Sequence, residues 1–335
     1  MQSTEPATRQ PGSMGYHPLV SVVLPIYNDE PTLKRTLDSL VNQSYENKEI
    51  LVVDDGSKDG SVRIVEEEAA LHGRLTLLQI PHSGTSGAKN KGFEASKGEV
   101  VFFAEGDAVY EPDYLSEAVA SLASEPTIAG VCVLGMPLVT RRTFASSCLY
   151  TEKLLVHQLI KEGKKGAYFS WVFRRSVLQE VGLYDTSLSQ AEDKDLFERV
   201  KQAGYSFGLV PRTLWYHQRG ETTAKFLRSI ISKSRRRVAY VAKGRHWSEL
   251  LKGSGGVILA VLFLALAVLD PWYLIPIGLL VIAGFAYRYW KVVELGRRTE
   301  ATLSQLLMLP LFQLMRYMAS SLGYVIGLAE WIAAR

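Results

Sequence analysis

Four short apolar runs punctuate the first third of the chain, at residues 20–26, 50–53, 75–80 and 100–103. Each is followed by a segment of helical length, at 31–42, 61–72, 87–96 and 112–123. The runs are unbroken and do not alternate, so each strand is predicted to be buried on both faces. Strand–helix alternation of this kind predicts an α/β domain, a mostly parallel sheet with helices on both sides. Ligands of such sheets sit beyond the carboxyl ends of the strands. Polar residues cluster there: Pro25-Ile26-Tyr27-Asn28 after the first strand, Asp54-Asp55-Gly56-Ser57 after the second, and Glu105-Gly106-Asp107 after the fourth. Any one of these is weak, since Asp-Asp-Gly-Ser is also an ordinary turn and helix cap. Three strand ends with carboxylates or amides point to a shared site.

The C-terminal third reads differently. Residues 253–269 carry no charge, Asp270-Pro271 interrupts them, and 271–287 carry none either. Two uncharged runs joined by an Asp-Pro turn predict a transmembrane hairpin at 251–290. A third apolar stretch, 300–335, is broken by Arg316 and Glu330 and is predicted to be interfacial or transmembrane. Ahead of the hairpin, residues 225–245 hold eight Lys/Arg and no acid, against a whole-chain net charge of +4. On a helix, Leu227, Ile230, Ile231, Ser234, Val238 and Val241 share one face. Lys225, Arg228, Lys233, Arg235, Arg236 and Lys243 fall on the others. This predicts a basic amphipathic helix over 223–250 lying in the headgroup plane, with Arg228, Lys233, Arg235, Arg236 and Arg237 meeting membrane or lipid phosphate. A solvated basic face and nucleic acid are the alternatives; nucleic acid is disfavoured because aromatics are not interleaved with the charges. Basic residues flank both ends of the hairpin, so a multi-pass membrane protein with a cytoplasmic catalytic domain is expected. Residues 1–17 are polar, lack a signal-peptide pattern and read as a loose tail. The two cysteines, Cys132 and Cys148, form no zinc or disulfide framework, which fits a reducing compartment.

The segments VSVVLPIYNDEPTLKRTLDSLVNQSY, KEILVVDDGSKDGS, GTSGAKNKGFEASKGEVVFFAEGDAVYEPDYL and FRRSVLQEVGLYDTSLSQAEDKDLFERVKQAGY resemble family 2 glycosyltransferases of the GT-A fold, in the family's order and spacing. The resemblance covers about residues 18–222, and the apolar tail resembles that of membrane-anchored members. It implies transfer of a sugar, with inversion, from a nucleoside diphosphate donor linked to UDP or GDP. Glu105-Gly106-Asp107 resembles the family's Asp-x-Asp, with a departure at its first position. Asp107 and Glu105 would then hold Mg²⁺ or Mn²⁺, which offsets the charge of the leaving diphosphate. The glycine between them would let the nucleotide approach closely. His217 is a third metal ligand, a diphosphate contact or a structural histidine. Asp55 resembles the base-contacting acid and Asp54 its neighbour. Pro25, Tyr27 and Asn28 would shape the nucleoside pocket. Lys89 and Asn90 match positions beside the donor, and Lys89 would offset phosphate charge or be a solvated helix lysine.

Glu192-Asp193 resembles the family's Glu-Asp pair, whose Asp is the general base. The other reading is an acid pair favoured by a helix N-terminus. Arg174 and Arg175 would face acceptor phosphate or merely cap the sheet. The Gln-x-x-Arg-Trp motif of processive members is missing before the hairpin; Gln313-Leu-Met-Arg316-Tyr317 looks similar but lies inside the third apolar stretch. The expected function is transfer to a lipid-linked saccharide or another hydroxyl acceptor at the membrane, with self-association through membrane helices a further expectation. The alternatives are a polyprenyl-phosphate sugar synthase and a non-catalytic nucleotide-sugar-binding membrane protein.

Overall fold

In the computed structural model the chain is described over residues 16–139, 142–162, 171–188, 192–219, 222–240, 283, 286–287 and 289–333. Residues 1–15 of the predicted N-terminal tail, Val241, Lys243 and nearly all of the predicted hairpin at 251–290 lie outside the described residues.

The first half is the predicted alternation: β1 (Val20–Ile26), α1 (Glu30–Val41), β2 (Lys48–Asp54), α2 (Ser61–Leu71), β3 (Leu75–Gln79), α3 (Gly84–Ala95) and β4 (Val100–Phe103). These four strands pair in parallel in the order β3-β2-β1-β4. Their side chains explain the unbroken apolar pattern. Val22, Leu24 and Ile26 of β1 join Leu33, Leu37 and Leu40 of α1 on one face. Val23 packs on the other face with Ala88 and Phe93 of α3. Each fully buried leucine or isoleucine of this kind contributes about 1.5–3 kcal/mol.

The second half corrects the expectation of a mostly parallel sheet. It contains β5 (Ala108–Tyr110), α4 (Tyr114–Ser124), β6 (Ile128–Val139), α5 (Phe144–Lys161), β7 (Trp171–Arg174), α6 (Arg175–Val181), α7 (Glu192–Gln202) and β8 (Ser206–Arg219). β7 runs antiparallel to both β4 and β6, β6 pairs in parallel with β8, and β5 is antiparallel to β8. The eight-stranded sheet is therefore mixed, in the order β3-β2-β1-β4-β7-β6-β8-β5. The long β6 and β8 also slip register at three points along their pairing.

Two further helices, α8 (Thr223–Tyr240) and α9 (Leu303–Ala333), pack against each other and against α5. The apolar side of α8 is covered by protein. Phe226 of α8 shares a buried cluster with Leu306, Leu309 and Phe312 of α9 and with Ala145, Cys148 and Leu155 of α5. Val238 is buried too. Gly323 and Gly327 of α9 permit this docking, because a Cβ at either position would run into the Ile231 or Arg235 carbonyl of α8. Ser234 and Ser320 hydrogen-bond across the helices at 2.9 Å. The charges within the third apolar stretch are paired, Arg316 with both oxygens of Glu152 at 2.6 and 2.9 Å, and Arg235 with Glu330 at 2.6 Å. Among the described residues no helix is long and apolar enough to cross a membrane.

Candidate active site

The antiparallel pairing of β5 with β8 sets Ala108 opposite His217. This brings a histidine from the end of a long strand onto the acidic turn that follows β4. His217 Nε2 lies 2.9 Å from Glu105 Oε2, and its Nδ1 lies 3.2 Å from Asp107 Oδ2. One ligand atom from each of Glu105, Asp107 and His217 falls within 4.8 Å of the others, which makes the three a group that could hold a metal ion. Two carboxylates and an imidazole suit a cation that accepts both oxygen and nitrogen donors. Mn²⁺ fits such a set better than Mg²⁺, which favours oxygen.

The turn carrying these acids is fixed from α1. Thr36 donates to the carbonyls of Gly106 at 3.0 Å and Ala108 at 2.7 Å, and Thr32 donates to Gly106 at 3.1 Å. The Gln218 amide donates to the Asp107 carbonyl at 2.7 Å. Gly106 has a reason other than nucleotide approach: a Cβ there would stand 2.6 Å from Oδ2 of Asp29. Asp29, which sequence reasoning passed over, thus adds a third carboxylate beside the cluster. Burial pushes it up to about 6; the Tyr27 amide it accepts opposes this, and the charges of Asp107 and Asp59 add to it.

The other strand ends are arranged beside this turn. Tyr27 is exposed, and its ring lies 4.5 Å from that of His82. Asn28 adopts a left-handed φ of 55°, a conformation that asparagine tolerates better than most residues. Its side-chain oxygen accepts the Lys58 amide at 2.8 Å, while its own amide donates to Ser57 Oγ at 3.0 Å. Pro25 sits within β1, in register with Val53. Asp54 and Asp55 are each only 3% exposed and are engaged in hydrogen bonds. Asp54 closes its own turn by accepting the Ser57 amide at 3.1 Å. Asp55 accepts the amides of Ser83 at 2.6 Å and Gly84 at 2.9 Å, capping α3 from outside, and pairs with His82 at 2.9 Å.

α3 delivers Lys89 to α7. Lys89 Nζ lies 2.9 Å from Asp193 Oδ1 and 4.4 Å from the centre of the Tyr184 ring. The lysine is buried and not solvated. Burial alone pulls its ammonium down, yet Tyr184, Asp193 and Glu192 outweigh that and hold it above the usual range. Asp193 keeps 60% of its side chain exposed. Glu192 is raised, by burial first and then by Asp193, with Lys89 and Lys233 opposing. Asn90 donates to the Tyr184 carbonyl at 2.8 Å and accepts its amide at 3.1 Å, so it fixes the loop that carries the ring. Tyr184 is a second residue that sequence reasoning missed.

Arg174 and Arg175 brace the sheet, away from these acids. Arg174 donates to the carbonyls of Ile128 and Leu122, and Arg175 to Ser96 Oγ and to the Gly98 carbonyl. On α8, Arg228, Lys233, Arg235 and Arg236 are exposed and Arg237 is half-buried.

Residues 21–182 match the family model "Glycosyl transferase family 2". The chain is similar to the "Putative glycosyltransferase EpsH" of Bacillus subtilis, 32% identical over 169 residues that make up 48% of each chain. It is also similar to the "Uncharacterized glycosyltransferase EpsJ" of the same organism, 31% identical over 52% of this chain and 54% of the relative. The chain thus spans about half the length of these relatives. Among solved structures, the "Mannosyltransferase PcManGT from Pyrobaculum calidifontis in complex with GDP-Man and Mn2+" shares the fold. Its TM-score is 0.55 at 21% identity, over 96% of this chain and 90% of that one.

Proposed function

We propose that this protein moves a sugar, with inversion, from a UDP- or GDP-linked donor to a hydroxyl of a lipid-linked saccharide at the cytoplasmic face of a membrane. The observation that carries the reading is the Glu105–Asp107–His217 cluster, assembled at the end of the parallel half of the sheet. Mn²⁺ or Mg²⁺ held there would stabilise the negative charge that develops on the departing diphosphate. The exposed Tyr27 ring offers a face for the nucleobase, beside His82. Asp193 takes the proton of the acceptor hydroxyl as the acceptor oxygen bonds to the anomeric carbon. The bond from that carbon to the diphosphate oxygen breaks on the opposite side, which inverts the centre. Lys89 fixes one oxygen of Asp193 and leaves the carboxylate largely open to an incoming acceptor. An acceptor that is already an ionised phosphate needs no base, so this arrangement favours a hydroxyl acceptor over the polyprenyl-phosphate alternative.

The membrane part of the reading rests on α9. Leu303, Leu307, Leu311, Leu314, Met318 and Leu322 are exposed along it at helical spacing. Trp290 is exposed as well. A stripe of this kind beside exposed Arg228, Lys233 and Arg236 is the pattern of a helix lying on an anionic membrane surface. The test is transfer of labelled sugar from UDP- and GDP-sugars into a membrane lipid extract. Wild type should transfer label, while Asp107→Ala and Asp193→Asn should not; full activity in both variants refutes the assigned roles.

A further inference from the structure

α8 and α9 touch along their glycine and serine positions but separate on one side, where they enclose a cavity of about 570 Å³. That volume lies within the range of small-molecule sites. Three cations line it: Lys233 and Arg237 of α8 and Arg316 of α9. No carboxylate is among the described lining residues. Lys233 and Arg237 stand four residues apart on one helix, where like charges repel. Arg316 is held rigid from behind by its two bonds to Glu152. Hydroxyls of Ser234 and Ser320 and the amide of Gln313 complete a polar wall. Cations concentrated in a half-enclosed polar space, one of them in a fixed orientation, make a receptor for a multiply charged oxyanion.

The position of the cavity says which oxyanion. Lys233 is within electrostatic reach of Glu192, the neighbour of Asp193, so this wall of the cavity lies near the proposed base. On its other side, Leu314 and Met318 are exposed on α9 next to the lining residues Gln313 and Tyr317.

We propose that the cavity between α8 and α9 binds a phosphate ester of the acceptor through Lys233, Arg237 and Arg316. The ester's apolar chain would run along the exposed stripe of α9, and its sugar hydroxyl would point to Asp193. The proposal rests on the glycosyltransferase reading and narrows its acceptor to a phosphate-bearing one. Of the basic cluster, Lys233 and Arg237 line the cavity. The proposal also gives Gln313, Arg316 and Tyr317 a place at a ligand site, in spite of their setting within an apolar stretch.

The experiment is calorimetric titration of the full chain in detergent and EDTA with decyl phosphate, inorganic phosphate and decanol. Wild type should bind decyl phosphate, and the Lys233→Gln/Arg237→Gln double variant should bind it about tenfold more weakly or worse, since two charge-assisted contacts are lost. Lys233→Arg should keep the affinity. Inorganic phosphate as tight as decyl phosphate would show that the oxyanion alone is read; much weaker binding would show that a lipid ester is the natural source. Both results support the site. Decanol binding as tightly as decyl phosphate, equal affinity in wild type and double variant, or no binding at all would overturn it. A parallel titration with UDP and GDP in Mn²⁺ separates the two readings. If the nucleotides bind and the decyl phosphate arm fails, only this inference falls; if neither nucleotide binds, the glycosyltransferase reading itself falls.

Discussion

Asp29 offers a sharp test of how closely the acids are packed at the end of β1. Its carboxyl titrates near 6, against 3.8 as the ordinary value, chiefly because it is buried beside Gly106 and near Asp107. A carboxyl raised in the folded state stabilises the fold relative to the unfolded chain only while it is protonated. That contribution is complete below pH 4 and is lost as pH rises through 6. About two pH units at 1.36 kcal/mol each give a loss of about 3 kcal/mol between pH 4 and pH 8. Asp29→Asn keeps an oxygen that can accept the Tyr27 amide, but it cannot ionise. The variant should therefore gain about 3 kcal/mol on wild type between pH 4 and pH 8, every other titration cancelling in the difference. Urea unfolding of both proteins across that range, in EDTA so that no cation binds the neighbouring acids, measures this directly. Parallel stability curves for the two proteins would refute the burial of Asp29 as a charge.

The Lys89–Asp193 pair predicts an asymmetry. Asp193→Ala leaves a buried ammonium unpaired and should cost about 2 kcal/mol in urea unfolding. Lys89→Met removes the buried charge and leaves a solvated acid, so it should cost less than about 1 kcal/mol; both should abolish sugar transfer. Gly106→Ala should destabilise by about 1–3 kcal/mol through the clash with Asp29 and should weaken Mn²⁺ binding, read by unfolding and by metal titration. Gly323→Leu should separate α8 from α9 and lower the melting temperature while Mn²⁺ binding at the distant acid cluster persists; an unchanged melting temperature would contradict the close helix contact.

Much of the parallel half of the sheet was legible in the sequence because its strands are buried on both faces, which leaves an unbroken apolar signature. β6 is as apolar as those strands and β8 is mixed, yet neither is placed in the sheet by its pattern alone. They carry Gly130, Gly135, Pro137 and Pro211 inside long strands, and their pairing is a tertiary matter of register. The packing of the helix pair was hidden for a related reason. The pattern of α8 records that one side is apolar but not whether lipid or protein covers it, and the answer lay in Gly323 and Gly327 nearly a hundred residues on. At the site, Glu105 and Asp107 stood out as closely spaced acids, but the approach of His217 depends on antiparallel pairing of β5 with β8. Asp54 and Asp55 were ambiguous by chemistry, since the same residues serve as turn and cap acceptors. Asp29 and Tyr184 gave little local signal: one occupies a helix-cap position, and the other is an aromatic in a loop whose meaning comes from Lys89, 95 positions earlier.

The central claim is that Glu105, Asp107 and His217 form one cation-dependent site for a nucleoside diphosphate. Calorimetric titration of UDP and GDP with and without Mn²⁺, on wild type and on Asp107→Ala, tests it most directly. Mn²⁺-dependent binding of one nucleotide to wild type, lost in Asp107→Ala, is the predicted result. Equal binding with and without the cation, or equal binding by wild type and variant, would contradict it.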